Sequence, residues 1–145
     1  MSVSPAIVYE RLGGHETIET EIRSELDLIN AVRKGFPLAV VRYFLSRNYV
    51  SVGEFESLVV PRRTLAHRKK NQQPLTAEQS DRLARLARVT AFASETFQNE
   101  EKAHHWLRTS NRALNSATPL FLLDTDGGAR LVEDELDRIS HGLFA

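Results

Sequence analysis

Cysteine is absent from the 145 residues, which removes disulfides, thiolate metal ligands and cysteine nucleophiles together and makes a cytosolic chain the natural expectation. Long apolar runs are missing too. The densest is Leu120-Phe121-Leu122-Leu123, far below the roughly 18 residues that a membrane span requires. The opening stretch, MSVSPAIVYERLGG, has neither a basic leader nor an apolar core, so no secretion signal is expected there. Apolar residues make up 41% and charged residues 26%, ordinary values for a globular chain of about one domain's length.

Catalytic signatures are lacking as well. No serine sits in a GxSxG, no glycine-rich loop is spaced to cradle phosphate, and Gly13-Gly14 and Gly127-Gly128 read as turns. An enzyme is therefore not expected, nor a cofactor. Glu100-Glu101 lies near His104-His105, but the order is not HExxH and adjacent histidines face different ways on a helix, so no metal is expected. Asp124, Asp126 and Glu135 match three positions of a calcium loop, yet Ala129 stands where that loop needs glycine.

What is present is charge, and it is segregated. The net charge of zero divides into −4 over residues 1–30, +8 over 31–90 and −4 over 91–145. A basic middle of this size is the footprint of a polyanion-binding surface, and the flanks would be repelled by the same partner.

Local signals predict a mainly α chain. Residues 1–22 say least, with Val3 to Leu12 open between strand, helix and arm. Ser24 can cap a helix whose apolar face holds Leu26, Ile29, Ala31, Val32 and Phe36, ended by Gly35 and Pro37. A second helix follows with Leu38, Val41, Phe44 and Leu45 on one face. Ser51 opens a short third helix with Val52, Phe55, Leu58 and Val59. Pro61 suits the first position of the next helix, because its missing amide would be unpaired there. That helix, PRRTLAHRKKN, has only Leu65 and Ala66 as anchors.

Two short helices with a tight turn between them, the second almost wholly basic, form the pattern of a helix-turn-helix. The candidate DNA-binding residues are Arg62, Arg63, Thr64, His67, Arg68, Lys69 and Lys70. The front arginines would reach base edges, and Arg68, Lys69 and Lys70 would meet phosphates.

From Thr76 to Phe97 one long helix is predicted, with Thr76 and Gln79 as a capping box. Its buried stripe is Leu83, Leu86, Ala87, Thr90, Ala93 and Phe97, and Arg82, Arg85 and Arg88 follow a wetter face. Beyond it, a helix over Glu100 to Leu107 turns Ala103, Trp106 and Leu107 inward. Asn111 and Asp124-Thr125 read as turn caps. Asp124 to Gly128 is expected to turn, and a last helix covers Leu131 to Gly142 with Val132, Leu136 and Ile139 on one stripe.

The string WLRTSNRALNSATPLFLLDTDGGARLVEDELDRISHGLFA resembles the C-terminal domain of the Xre, MbcA and ParS antitoxins. The matching positions include Trp106-Leu107, Asn111, Leu114, Pro119-Leu120, Leu123-Asp124-Thr125, Gly128, Val132, Leu136, Ile139 and Gly142. The preceding segment, RRTLAHRKKNQQPLTAEQSDRLARLARV, is similar to that family's helix-turn-helix. It departs at Val59-Val60-Pro61, where many members have glycine, an apolar residue and a capping serine.

The resemblance implies an antitoxin that neutralises a RES-type, NAD-consuming toxin, binds operator DNA at its own promoter and forms a homodimer. It implies toxin contacts at Trp106, Asn111, Leu120, Asp124, Arg130, Leu136, Ile139, Leu143 and Phe144. The implied division is an N-terminal arm over 1–23, a DNA-binding and dimerisation domain over 24–97 and a toxin-binding domain over 98–145. The competing reading is a helix-turn-helix regulator whose C-terminal module senses a ligand or dimerises.

Overall fold

The computed structural model describes residues 3–143, and they form eight α-helices with no strand among them. In chain order these are α1 (Pro5–Arg11), α2 (Glu25–Lys34), α3 (Leu38–Ser46), α4 (Val52–Leu58), α5 (Arg62–Lys70), α6 (Ala77–Phe97), α7 (Glu100–Leu107) and α8 (Asp126–Leu143). The links between α7 and α8 include 3₁₀ turns over Arg112–Leu114 and Pro119–Asp124.

Helix starts follow the local chemistry. Ser24, Ser51 and Thr76 each cap a helix, and Asp27, Glu54 and Gln79 reach back to complete a capping box in each case. The Thr76 hydroxyl accepts from the Gln79 amide at 3.1 Å, and the Gln79 side chain accepts from the Thr76 amide at 2.9 Å. Asn99 caps α7 by accepting from the Lys102 amide at 2.9 Å. Pro61 stands one place earlier than expected, as the cap of α5 rather than its first residue.

Helix α6 is the centre of the molecule, packed against α1, α2, α4, α7, α8 and the 3₁₀ turn before α8. At about 1.5 Å per residue it spans roughly 30 Å. Its covering is broader than one stripe. Ala84, Val89, Ala91 and Phe92 are buried as well as Leu83, Leu86, Ala87 and Ala93, because neighbours close on it from several sides and its alanines let them approach. Arg85, expected on a wet face, is only 8% exposed, and its Nε donates to the Leu123 carbonyl at 3.2 Å. Arg88 is drawn in also, donating to Glu133 of α8 at 3.2 Å.

Residues 3–22, left open by the sequence, supply Val3, Val8, Tyr9, Leu12, Ile18 and Ile22 to the same core. Arg11 on α1 donates to Thr90 at 3.1 Å, to Ser94 at 3.2 Å and to Glu100 at 3.1 Å, and its guanidinium lies 3.7 Å from the centre of the Tyr49 ring. One side chain thus joins α1, α6, α7 and the loop before α4.

The apolar faces of two short helices are narrower than their composition suggests. On α2 Leu28 is buried, whereas Leu26 is 62% and Ile29 39% exposed. On α4 Phe55 and Leu58 are buried, and Val52 faces outward. A helix of two or three turns meets α6 along one line of contact, and apolar residues off that line stay in water.

The glycines before α8 are not a turn. The helix begins at Asp126 and includes both. Gly128 is required by a close approach, since a Cβ there would stand 1.9 Å from the Leu122 carbonyl oxygen. Thr125 caps this start by accepting from the Gly128 amide at 3.0 Å.

Candidate functional site

The first surface is built by α4, the turn Val59-Val60-Pro61 and α5. Val59 and Val60 are buried at 2% and 0% exposure, and Leu65 is the buried anchor of α5, with Ala66 exposed. The turn needs no glycine, because Val59 has φ −115°. Arg82 of α6 donates to the Val59 carbonyl at 3.4 Å and so ties the turn to the central helix. Pro61 supplies its carbonyl to the Leu65 amide at 2.9 Å, but no side chain caps α5.

With Leu65 holding the back, the front of α5 is free. Arg62, Arg63, Thr64, Lys69 and Lys70 are all exposed and make no side-chain hydrogen bond or ion pair to another described residue. Two of the predicted residues are engaged. Arg68 donates twice to the Pro74 carbonyl, at 2.9 and 2.6 Å, and His67 lies 3.1 Å from the Asn71 amide nitrogen.

The second surface belongs to the module after α6. Arg108 at the end of α7 donates to both Glu54 oxygens, at 2.9 and 2.7 Å, and joins this module to α4. Burial pushes the Glu54 carboxyl up, but the bonds from Arg108 and the Ser51 amide outweigh it and hold the group below its ordinary value. Glu100 is treated alike, raised by burial and lowered further by its bonds to Arg11. Asn111 uses its side chain to accept from the Ala113 amide at 2.9 Å, while its backbone pairs with Ala117.

Helix α8 lays Ala129, Val132 and Leu136 against α6 at 0% exposure each. Glu135 is buried beside them and bonded to Arg138. At the entry to α8 the surface changes: Phe121 is 75% and Leu131 55% exposed, and Asp124 and Arg130 lie exposed between them in sequence.

Two family models match this chain. The antitoxin Xre-like helix-turn-helix domain covers residues 27–88, and the antitoxin Xre/MbcA/ParS C-terminal toxin-binding domain covers residues 93–142. Antitoxin Xre of Pseudomonas putida is 32% identical over 122 residues, spanning 84% of this chain and 76% of that protein. This chain belongs to the Xre/MbcA/ParS antitoxin family. Antitoxin Xre of Yersinia enterocolitica is 31% identical over 122 residues, with 81% of each chain covered. A Sphingobium protein named Prs ADP-ribosylating antitoxin is 29% identical over 132 residues, 84% of this chain and 83% of that one. The family points to a regulatory protein of a toxin–antitoxin pair, with a helix-turn-helix and a toxin as partner, rather than to an enzyme. Among the described residues no helix is long and apolar enough to cross a membrane.

Within this antitoxin the residues assigned to toxin contact separate by depth. Leu120 and Leu136 are buried at 5% and 0% exposure. Asn111 caps its own loop, and Trp106 is half-buried with its ring 5.7 Å from that of Phe97. Ile139 is half-buried, whereas Asp124 and Arg130 are open. Leu143 closes α8, and Phe144 lies outside the described residues. Sequence reasoning passed over Phe121 and Leu131. Phe121 stands inside an apolar run, where nothing local says which member faces out. Leu131 falls off the stripe of Val132, Leu136 and Ile139 that helical spacing marks, which was the one signal available for it.

Proposed function

We propose that this antitoxin neutralises a RES-type, NAD-consuming toxin by direct contact through the entry to α8, and represses its own operon through α5, acting as a cytoplasmic homodimer. The observation that carries the toxin reading is the pair Phe121 and Leu131. Two large apolar side chains stand in water within the segment matched to a toxin-binding domain, and a partner that covered them would gain what interface cores are made of. Asp124 and Arg130 supply a polar rim. Leu120 and Leu136 serve from beneath by fixing the 3₁₀ turn and α8. The name of the Sphingobium relative refers to ADP-ribosylation, a modification whose donor is NAD, and this supports an NAD-consuming partner.

For DNA, the unpartnered cations on the front of α5 support docking in a major groove, with Arg62 and Arg63 at base edges and Lys69 and Lys70 at phosphates.

Co-expression with the genomically adjacent toxin tests the first part. The variant Phe121→Asp/Leu131→Asp is expected to lose protection while keeping the wild-type melting temperature, because neither side chain is in the core. Full protection would move the inhibitory surface elsewhere. Deleting residues 131–145 is a poorer test, since it strips buried Val132 and Leu136 from α6. In a gel shift on the upstream region, Arg62→Ala/Arg63→Ala is expected to narrow the gap between promoter and unrelated duplex, each good bidentate contact discriminating by about 1–3 kcal/mol.

A further inference from the structure

Behind the front of α5 lies an open cleft of about 750 Å³ whose walls come from two separate stretches of chain, 34–42 and 69–74. Lys34 closes α2, Arg42 stands on α3, and Lys69 lies near the end of α5 with Gln72 and Gln73 in the turn beyond it. No acidic residue lines this cleft; Glu19 and Asp27 line the neighbouring depression on the other side of Lys34. None of the three cations is hydrogen-bonded or ion-paired through its side chain to another described residue. Like charges brought together without a counter-charge repel, and a polyanion is the partner that reverses the sign.

The walls are locked together. Gly35 has φ +92°, and a Cβ there would stand 2.2 Å from the Leu75 carbonyl oxygen. The Leu75 amide donates to the Phe36 carbonyl at 3.0 Å, and the Phe36 amide donates to the Ser80 hydroxyl at 2.8 Å. Arg68 holds the far wall through its two bonds to the Pro74 carbonyl. It acts here as a positioning residue.

We propose that this cleft takes backbone phosphates of the duplex on which α5 docks, with Lys34, Arg42 and Lys69 as the cations and Gln72 and Gln73 as further donors. The inference rests on the DNA reading above and adds residues outside α5. Arg62 and Lys69 are seven positions apart on α5, roughly 10 Å along the axis. That matches a major groove about 12 Å wide, so a helix with its front on base edges brings its rear to the backbone at the groove margin.

The test uses the full chain, wild type and two variants: Lys34→Ala/Arg42→Ala and Arg62→Ala/Arg63→Ala. Fluorescence anisotropy is read on the upstream fragment and on a scrambled duplex of equal length, from about 50 to 200 mM KCl. All four side chains are exposed, and unchanged thermal melting confirms that each variant is folded. Lys34→Ala/Arg42→Ala is expected to weaken both duplexes by the same factor, about tenfold, and to lower the log–log salt slope by about 0.9 for each phosphate that is no longer neutralised. Arg62→Ala/Arg63→Ala is expected to act chiefly on the preference for the upstream fragment.

If the wild type binds the upstream fragment and Lys34→Ala/Arg42→Ala keeps its affinity and slope, the cleft is not a phosphate site. Loss of promoter preference alone in that variant would make the cleft a reader of bases and overturn the inference equally. A wild type that binds neither duplex would instead remove the DNA reading itself, and this inference with it.

Discussion

Gly128 and Arg85 belong to different helices, yet they hold the same 3₁₀ turn. Gly128 comes so close to the Leu122 carbonyl that a methyl group has no room, and Arg85 satisfies the Leu123 carbonyl beside it. The two contacts set the angle at which α8 leaves the turn, and so the direction in which Phe121 is presented. Gly128→Ala must push backbone, not a flexible side chain. The expected cost is about 2–3 kcal/mol of unfolding free energy, read from urea melts. A loss below about 0.5 kcal/mol would mean that the turn yields freely. Neither role is visible in the sequence, where a glycine pair reads as a turn and an arginine near two others reads as a solvated face.

At the scale of elements, the capping boxes are the strongest local devices. Each joins residues three apart, so each acts before any tertiary contact exists. Thr76 starts the helix against which α1, α2, α4, α7 and α8 pack, and its hydroxyl is exposed enough to be removed without opening the core. Thr76→Ala is expected to cost about 1 kcal/mol, a fall of about 2–4 °C in melting temperature for a chain of this size. Circular dichroism would show the native helical content retained below the transition. The helix-turn-helix was readable for the same reason, since one buried leucine in a basic helix leaves little choice about which side faces the core. The turn Val59-Val60-Pro61 closes without strain because no residue in it needs a positive φ.

Across the whole molecule, two of the ion pairs that fasten the C-terminal module to the rest are Glu54 with Arg108 and Glu100 with Arg11. Both carboxyls end below their ordinary pKa of 4.5. A depressed carboxylate stabilises the fold above its unfolded pKa, and that contribution is lost as pH falls through the lowered folded value. Stability is therefore expected to decline as pH falls through and below the ordinary carboxylate range. Glu54→Gln/Glu100→Gln should flatten that decline, measured as urea midpoints across the series; an unchanged slope would place the acid sensitivity elsewhere. The segregated charge is also a whole-molecule property. Part of the basic middle is consumed internally, by Arg85 on a carbonyl, Arg88 on Glu133 and Arg68 on Pro74. Arg62, Arg63, Lys69 and Lys70 on α5, with Lys34 and Arg42 around the cleft beside it, face water.

By itself the sequence determined the helical class, the capped helix starts at Ser24, Ser51 and Thr76 and the basic helix α5, because caps, turns and one-sided anchoring act within three or four residues. Which apolar residues lie inside was decided only when the helices met. Leu26 and Phe121 are as apolar as Leu28 and Leu120, but only the latter two fall where another element covers them. The same holds for Arg85, whose partner is 38 residues away. Burial depends on what closes over a face, and that neighbour comes from a distant part of the chain.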